Sequence, residues 1–281
     1  MMKLQPKRRH VEISANNQYP HGLRHLLSVT KSIFIGDDSS IRCFTELNYS
    51  MMCLEECQLI HCHEMEVVFR IHSEGAGEEI VQGQKSSTLT PKVFQSLKIL
   101  LLSNLNNLLS LVEPSDLAYS KLISLELLKH IHLEHCPRLE KLFPCSLSLP
   151  SQEILIILFC SNLKTIFYKQ PDYSVAPSPL PNIQRIYLQE LPQLQHFHDD
   201  VTFQFETPKW EKLFVRACRS FQHLPILKKE HLVSKVEVSG ERDWWGRLQW
   251  NLLAKQHDDY LHVKPPEFAL RKKHIIKSYL R

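Results

Sequence analysis

Apolar side chains recur along this chain in a fixed order. Leu54, Cys57, Leu59, Cys62, Met65 and Val68 stand at relative positions 1, 4, 6, 9, 12 and 15. The same frame fits Leu97 to Leu111, Leu128 to Leu142, Ile183 to Phe197 and Trp210 to Leu224. It also fits Gln152 to Ile166, where Gln152 stands in place of an aliphatic residue. Weaker copies begin at Thr30 and Val233. Apolar residues at the fourth and sixth positions, between polar or variable ones, predict a short strand with alternate side chains turned inward. The ninth residue is expected to enter the core and meet backbone groups of the turn. The later aliphatic positions are expected to pack a returning arm.

This order, L-x-x-L-x-L-x-x-N/C-x-L, is the leucine-rich-repeat pattern. From ninth positions 38 to 241 the mean repeat is about 29 residues. One repeat cannot bury its own apolar face, so neighbours stack into a continuous core. The expected fold is an α/β solenoid: an irregular horseshoe of about eight repeats, with a parallel β-sheet on the concave face and short helices or loops on the convex side. Residues 1–22 are expected to be an irregular N-terminal segment, 23–240 the repeats, and 241–281 a C-terminal cap and basic tail.

Uneven spacing marks insertions. Ile71–Pro91 reads as a flexible surface loop and Tyr168–Pro181 as a Pro-rich extended one. The cluster Trp244, Trp245, Leu248 and Trp250 suits a cap over the raw end of a solenoid. A short helix is expected from Glu267, with Arg271, Lys272, Lys273 and Lys277 on it, and a solvated tail is the plain reading of that segment.

Composition narrows the function classes. The net charge of +4 argues for no polyanionic partner, and no nucleic acid is expected. Seven glycines in 281 residues disfavour folds built on Gly-rich phosphate loops. No stretch has the roughly 18 consecutive apolar residues of a membrane span. The N-terminus lacks the apolar run of a secretory signal. Eight cysteines then read as reduced thiols of a cytoplasmic protein, with nucleo-cytoplasmic or membrane-peripheral placement left open.

The stretch Leu127–Phe143 holds His130, His132, His135 and Cys136, which raises the question of a metal site. The repeat frame answers it. Cys136 takes a ninth, core-facing position, whereas His130 and His132 take outward strand positions, so their donors diverge and no metal is expected. Gly77 to Ser86 imitates a phosphate loop with the wrong spacing. No cofactor and no catalytic constellation are expected. The rival reading is a hydrolase using a Cys–His pair brought together in three dimensions.

What remains is a surface. The third, fifth and seventh positions of each repeat face outward on the concave sheet. Among them His130 and His132 adjoin an apolar row, Ile154, Ile156 and Leu158, that is expected to be exposed. Beside it Arg185, Tyr187, Lys212, Phe214 and Arg216 form a basic-aromatic patch. Such residues are typical anchors of protein interfaces.

The run H-C-P-R-L-E-K-L-F at His135–Phe143 resembles repeats of the plant coiled-coil nucleotide-binding leucine-rich-repeat disease-resistance proteins. Leu149-Pro150-Ser151 and Leu180-Pro181-Asn182 are similar to their repeat lead-ins, and G-E-x-x-W-W-x-x-L-x-W at Gly240–Trp250 to their ends. The resemblance spans roughly residues 23–250. It implies a non-enzymatic interaction module of innate immunity. Its partners would be a pathogen effector, a guarded host protein or a nucleotide-binding receptor core. No nucleotide-binding domain or coiled coil is seen, so nucleotide binding carries over to no residue here. The chain reads as a fragment, a truncated product or a repeat-only relative. A ubiquitin-ligase repeat adaptor is the alternative.

Overall fold

The computed structural model describes residues 9–14, 19–20, 22–47, 51–70, 94–112, 125–169, 180–228, 234–250 and 256–264. The expected loop at Ile71–Pro91, the core of the Pro-rich loop and the tail helix from Glu267 lie outside the described residues.

In chain order the strands are β1 (His10–Ser14), β2 (Ser32–Gly36), β3 (Glu56–Ile60), β4 (Val67–Phe69), β5 (Ile99–Ser103) and β6 (Ser110–Val112). There follow β7 (His130–Glu134), β8 (Lys141–Pro144), β9 (Ile154–Leu158), β10 (Thr165–Tyr168), β11 (Arg185–Gln189) and β12 (His196–His198). The last are β13 (Gln204–Phe205), β14 (Lys212–Arg216), β15 (Ile226–Leu227), β16 (Val236–Ser239) and β17 (Tyr260–Val263). Ten of them form one parallel sheet in the order β1-β2-β3-β5-β7-β9-β11-β14-β16-β17. The returning arms carry the short parallel groups β4-β6, β8-β10-β12 and β13-β15. Helix is sparse: α1 (Leu23–Ser28) and α2 (Arg242–Trp245). This is an open leucine-rich-repeat solenoid.

The periodicity accounts for the core. First, fourth and sixth positions of the six clear copies are at most 2 % exposed, from Leu54, Cys57 and Leu59 through Trp210, Leu213 and Val215. Gln152, the odd member, is fully buried and in register. Its side-chain amide donates to the carbonyl oxygens of Ile154 at 2.6 Å and Lys129 at 2.9 Å. Trp210 occupies the same first position and its indole N–H donates to Lys212 O at 3.1 Å. Each N–H group is met by a backbone acceptor, which lowers the cost of its burial, while Gln152 Oε1 is buried without a hydrogen-bond partner among the described residues.

Ninth positions serve the turn. The Cys136, Cys160 and Cys218 thiols donate to carbonyls two residues back, at 3.7, 3.5 and 3.3 Å. The Asp38 carboxylate accepts the N–H groups of Ser40 and Ile41, both at 2.8 Å. The eighth position holds a feature absent from the sequence expectation. Asp37, His61, Asn104, His135, Phe159, Glu190 and Ala217 all lie at φ between 52° and 57°. This left-handed turn aims each N–H at the next repeat: His135 N–H donates to Leu158 O at 3.1 Å and Phe159 N–H to Gln189 O at 2.9 Å. Glycine would adopt this conformation freely; here other residues are held in it by the ladder.

Two differences appear at the ends. The sheet begins inside the segment expected to be irregular, because β1 pairs with β2 through Val11↔Ile33 and Ile13↔Ile35. The last copy is displaced by two residues, with Lys212 facing Glu237 rather than Lys235. A slip of two keeps every side chain on its face, so alternation alone cannot detect it. Past Gly240, Trp244 packs parallel to Phe221 at 6.3 Å and its indole N–H donates to Phe221 O at 2.7 Å. Tyr260 on β17 donates its hydroxyl to Pro225 O at 2.6 Å.

Candidate protein-binding face

Strands β7, β9, β11 and β14 are adjacent, and their registers fix three rows across the concave face. His130, Ile154, Arg185 and Lys212 form the first row. His132, Ile156, Tyr187 and Phe214 form the second, and Glu134, Leu158, Gln189 and Arg216 the third. All ten residues singled out from the sequence thus lie in one patch, about 14 Å across the strands and 13 Å along them.

The apolar row differs from expectation in its exposure. Ile154, Ile156 and Leu158 are only 7, 6 and 2 % exposed, and with Tyr187 they form a cluster separate from the repeat core. Phe159 and Phe214 pack against it half-buried. Equivalent side chains on parallel strands stand about 4.8 Å apart, so large neighbours shield one another. The Tyr187 and Phe214 rings stack at 4.9 Å and 13° between planes. Accessible surface on the patch therefore comes mainly from the half-buried Phe214, His130 and Arg185 and from exposed Lys212 and Arg216.

Charged groups on this face are tethered. Arg185 lies 3.8 Å from Glu211 and Lys212 3.4 Å from Glu237. His130 Nε2 is 4.0 Å from Glu153, His132 Nε2 3.8 Å from Glu134, and His135 Nε2 3.6 Å from Glu134. Burial holds the His130 pKa below the usual histidine value, against the pull of the Glu153 carboxylate. His135 also stacks on Phe159 at 4.6 Å.

Sequence reasoning passed over four participants. Glu134 and Gln189 complete the third row and are 4 and 6 % exposed. Ile99 and Leu101 on β5, half-buried, extend the face beside His130 and His132. All four occupied outward positions already; their residue types simply drew less attention than aromatics and cations.

The expected separation of the histidines from Cys136 holds. Cys136 is fully buried in the repeat core, and the strand histidines lie on the concave rows. One Cys–His contact does form elsewhere: Cys145 Sγ lies 3.1 Å from His198 Nε2. His198 Nδ1 accepts the Asp200 N–H at 2.9 Å and also lies 3.2 Å from the Asp200 carbonyl oxygen. Burial pushes the Cys145 thiol up to about 11 and lowers the His198 pKa. A nucleophilic pair needs the opposite, a thiolate beside an imidazolium or a free base nitrogen.

The family model for plant disease resistance protein RPS2-like leucine-rich repeats matches residues 13–150. Residues 13–150 are a leucine-rich-repeat region of the plant disease-resistance type. A comparison with curated proteins found no match. The matched stretch of this resistance-type region runs from β1 to the lead-in of β9, and the same register continues through β14. No helix among the described residues is long and apolar enough to cross a membrane.

Proposed function

We propose that this protein is a non-catalytic recognition module of plant defence that holds a partner protein on its concave sheet. The partner is a pathogen-derived or host protein, or the nucleotide-binding core of a receptor that the repeats restrain. The observation that carries the reading is the four-strand patch on β7, β9, β11 and β14. It sets an apolar cluster and the stacked Tyr187–Phe214 pair beside Arg185, Lys212 and Arg216. Rigid aromatics with arginine over a desolvated centre are what interface hot spots consist of. Burial favours a protonated Cys145 thiol beside a neutral His198, and this supports the non-catalytic part.

The test is co-precipitation of the tagged full chain from plant cells, with and without pathogen challenge. The expected result is specific recovery of a receptor core or a pathogen protein, lost in Tyr187→Ala and Phe214→Ala variants whose circular dichroism is unchanged. Undiminished recovery by both folded variants, or recovery of chaperones alone, would overturn it.

A further inference from the structure

Strand β7 differs from its neighbours in kind. On one side β5 contributes Ile99, Leu101 and Ser103 to the concave rows, and on the other β9 contributes Ile154, Ile156 and Leu158. Neither strand offers an ionisable group. Between them His130, His132 and the adjoining His135 each lie within 4.0 Å of a carboxylate, two of them sharing Glu134. Glu134 itself is 4 % exposed. The other charged groups at hand come from the lead-ins of these strands and are already paired. Lys98 Nζ is 2.8 Å from Glu55, and Lys129 Nζ is 2.7 Å from Glu153. The cations that face the same surface are Arg185, Lys212 and Arg216, on β11 and β14.

Histidine is the side chain whose ordinary titration falls between pH 5 and 8. With the three imidazoles neutral, the Glu134 and Glu153 carboxylates make this strip of the face negative. With the imidazoles protonated, His130 only at lower pH than an ordinary histidine because of its burial, the same strip becomes net positive. It then joins Arg185, Lys212 and Arg216 in one cationic field around the apolar cluster. We infer that the concave face takes an acidic segment with an apolar anchor, and that the β7 histidines strengthen this binding as pH falls. The inference rests on the proposed use of the face for protein partners and names the chemistry and regulation of that site.

The test uses the full chain and two synthetic peptides. Both carry the same leucine and phenylalanine anchors; one is flanked by aspartate and glutamate, the other by lysine. Titration calorimetry is run at pH 7.5 and 5.5. The expected result is preference for the acidic peptide, with affinity rising about tenfold on acidification. His132→Gln and His135→Gln should each flatten the rise; His135, at the more exposed rim, is the variant least prone to misfolding. Equal binding of both peptides at both pH values, still abolished by Tyr187→Ala, would overturn the inference and leave the proposed site standing. Binding of neither peptide, or binding indifferent to Tyr187→Ala, would overturn both.

Discussion

Gly240 lies directly beneath the ring of Trp244. A Cβ at Gly240 would stand 2.5 Å from Trp244 Cε3 and 2.6 Å from Cζ3. The glycine is there for close approach, which lets the indole close over Phe221 at the end of the regular repeats. Gly240→Ala must displace the ring or strain the turn, and overpacking of this kind costs about 1–3 kcal/mol. Urea unfolding should show that loss. Gly246→Ala is the control: its Cβ would meet nothing nearer than 3.6 Å, and stability should hold within about 0.5 kcal/mol.

The left-handed eighth positions predict a gain. Ala217 has φ 52°, is exposed, and uses its N–H to donate to Glu241 Oε1 at 2.8 Å. A left-handed residue with a Cβ carries about 1–2 kcal/mol of strain that glycine lacks. Glycine returns about 0.4–1 kcal/mol as unfolded-state entropy. Ala217→Gly should therefore stabilise the chain by about 0.5–1 kcal/mol. His135→Gly should gain less, because it removes the stack on Phe159. A melting series comparing the two checks both statements.

Thiol reactivity separates core from surface. Cys53 is exposed, whereas Cys43, Cys57, Cys62, Cys136, Cys145, Cys160 and Cys218 are buried. Burial pushes Cys62 and Cys218 up to about 12. Mild alkylation of the native chain, read by mass spectrometry, should label Cys53 alone, and denaturant should release the other seven. Fast native labelling of Cys145 would restore the catalytic reading of its contact with His198.

Acid should weaken the fold at identifiable places. The ammonium groups of Lys31 and Lys98, at 2.5 and 2.8 Å, lower the Glu55 pKa to about 2. Thr202, through its hydroxyl and backbone N–H, and then Lys169 lower Asp200 to about 2 as well. A carboxylate depressed in the folded state adds stability that is complete above its unfolded pKa of about 4 and lost as pH falls through its folded value. Stability should fall from about pH 4 towards pH 2, and Glu55→Gln should reduce the slope of that fall.

The sequence by itself determined which side chains enter the core and which stay on the concave rows. That information is local: a strand alternates with period two, and the fourth and sixth positions repeat that alternation in every copy. It also placed all ten candidate contact residues on one face, because equivalent positions in stacked repeats must align. It did not determine what depends on the neighbouring turn. The left-handed conformation of His135 or Phe159 is set by a carbonyl in the next repeat, and no local preference of histidine or phenylalanine demands it. Gln152 looked like a break in the pattern until Lys129 O and Ile154 O supplied its partners. The frame of the last copy was ambiguous because a slip of two residues preserves the faces of Val236 and Val238. Only the stacking of strands decided that Ile154, Ile156 and Leu158 shelter against Tyr187, since burial depends on neighbours that lie a whole repeat away. The Cys145–His198 contact likewise joins residues 53 positions apart, on returning arms separated by β10.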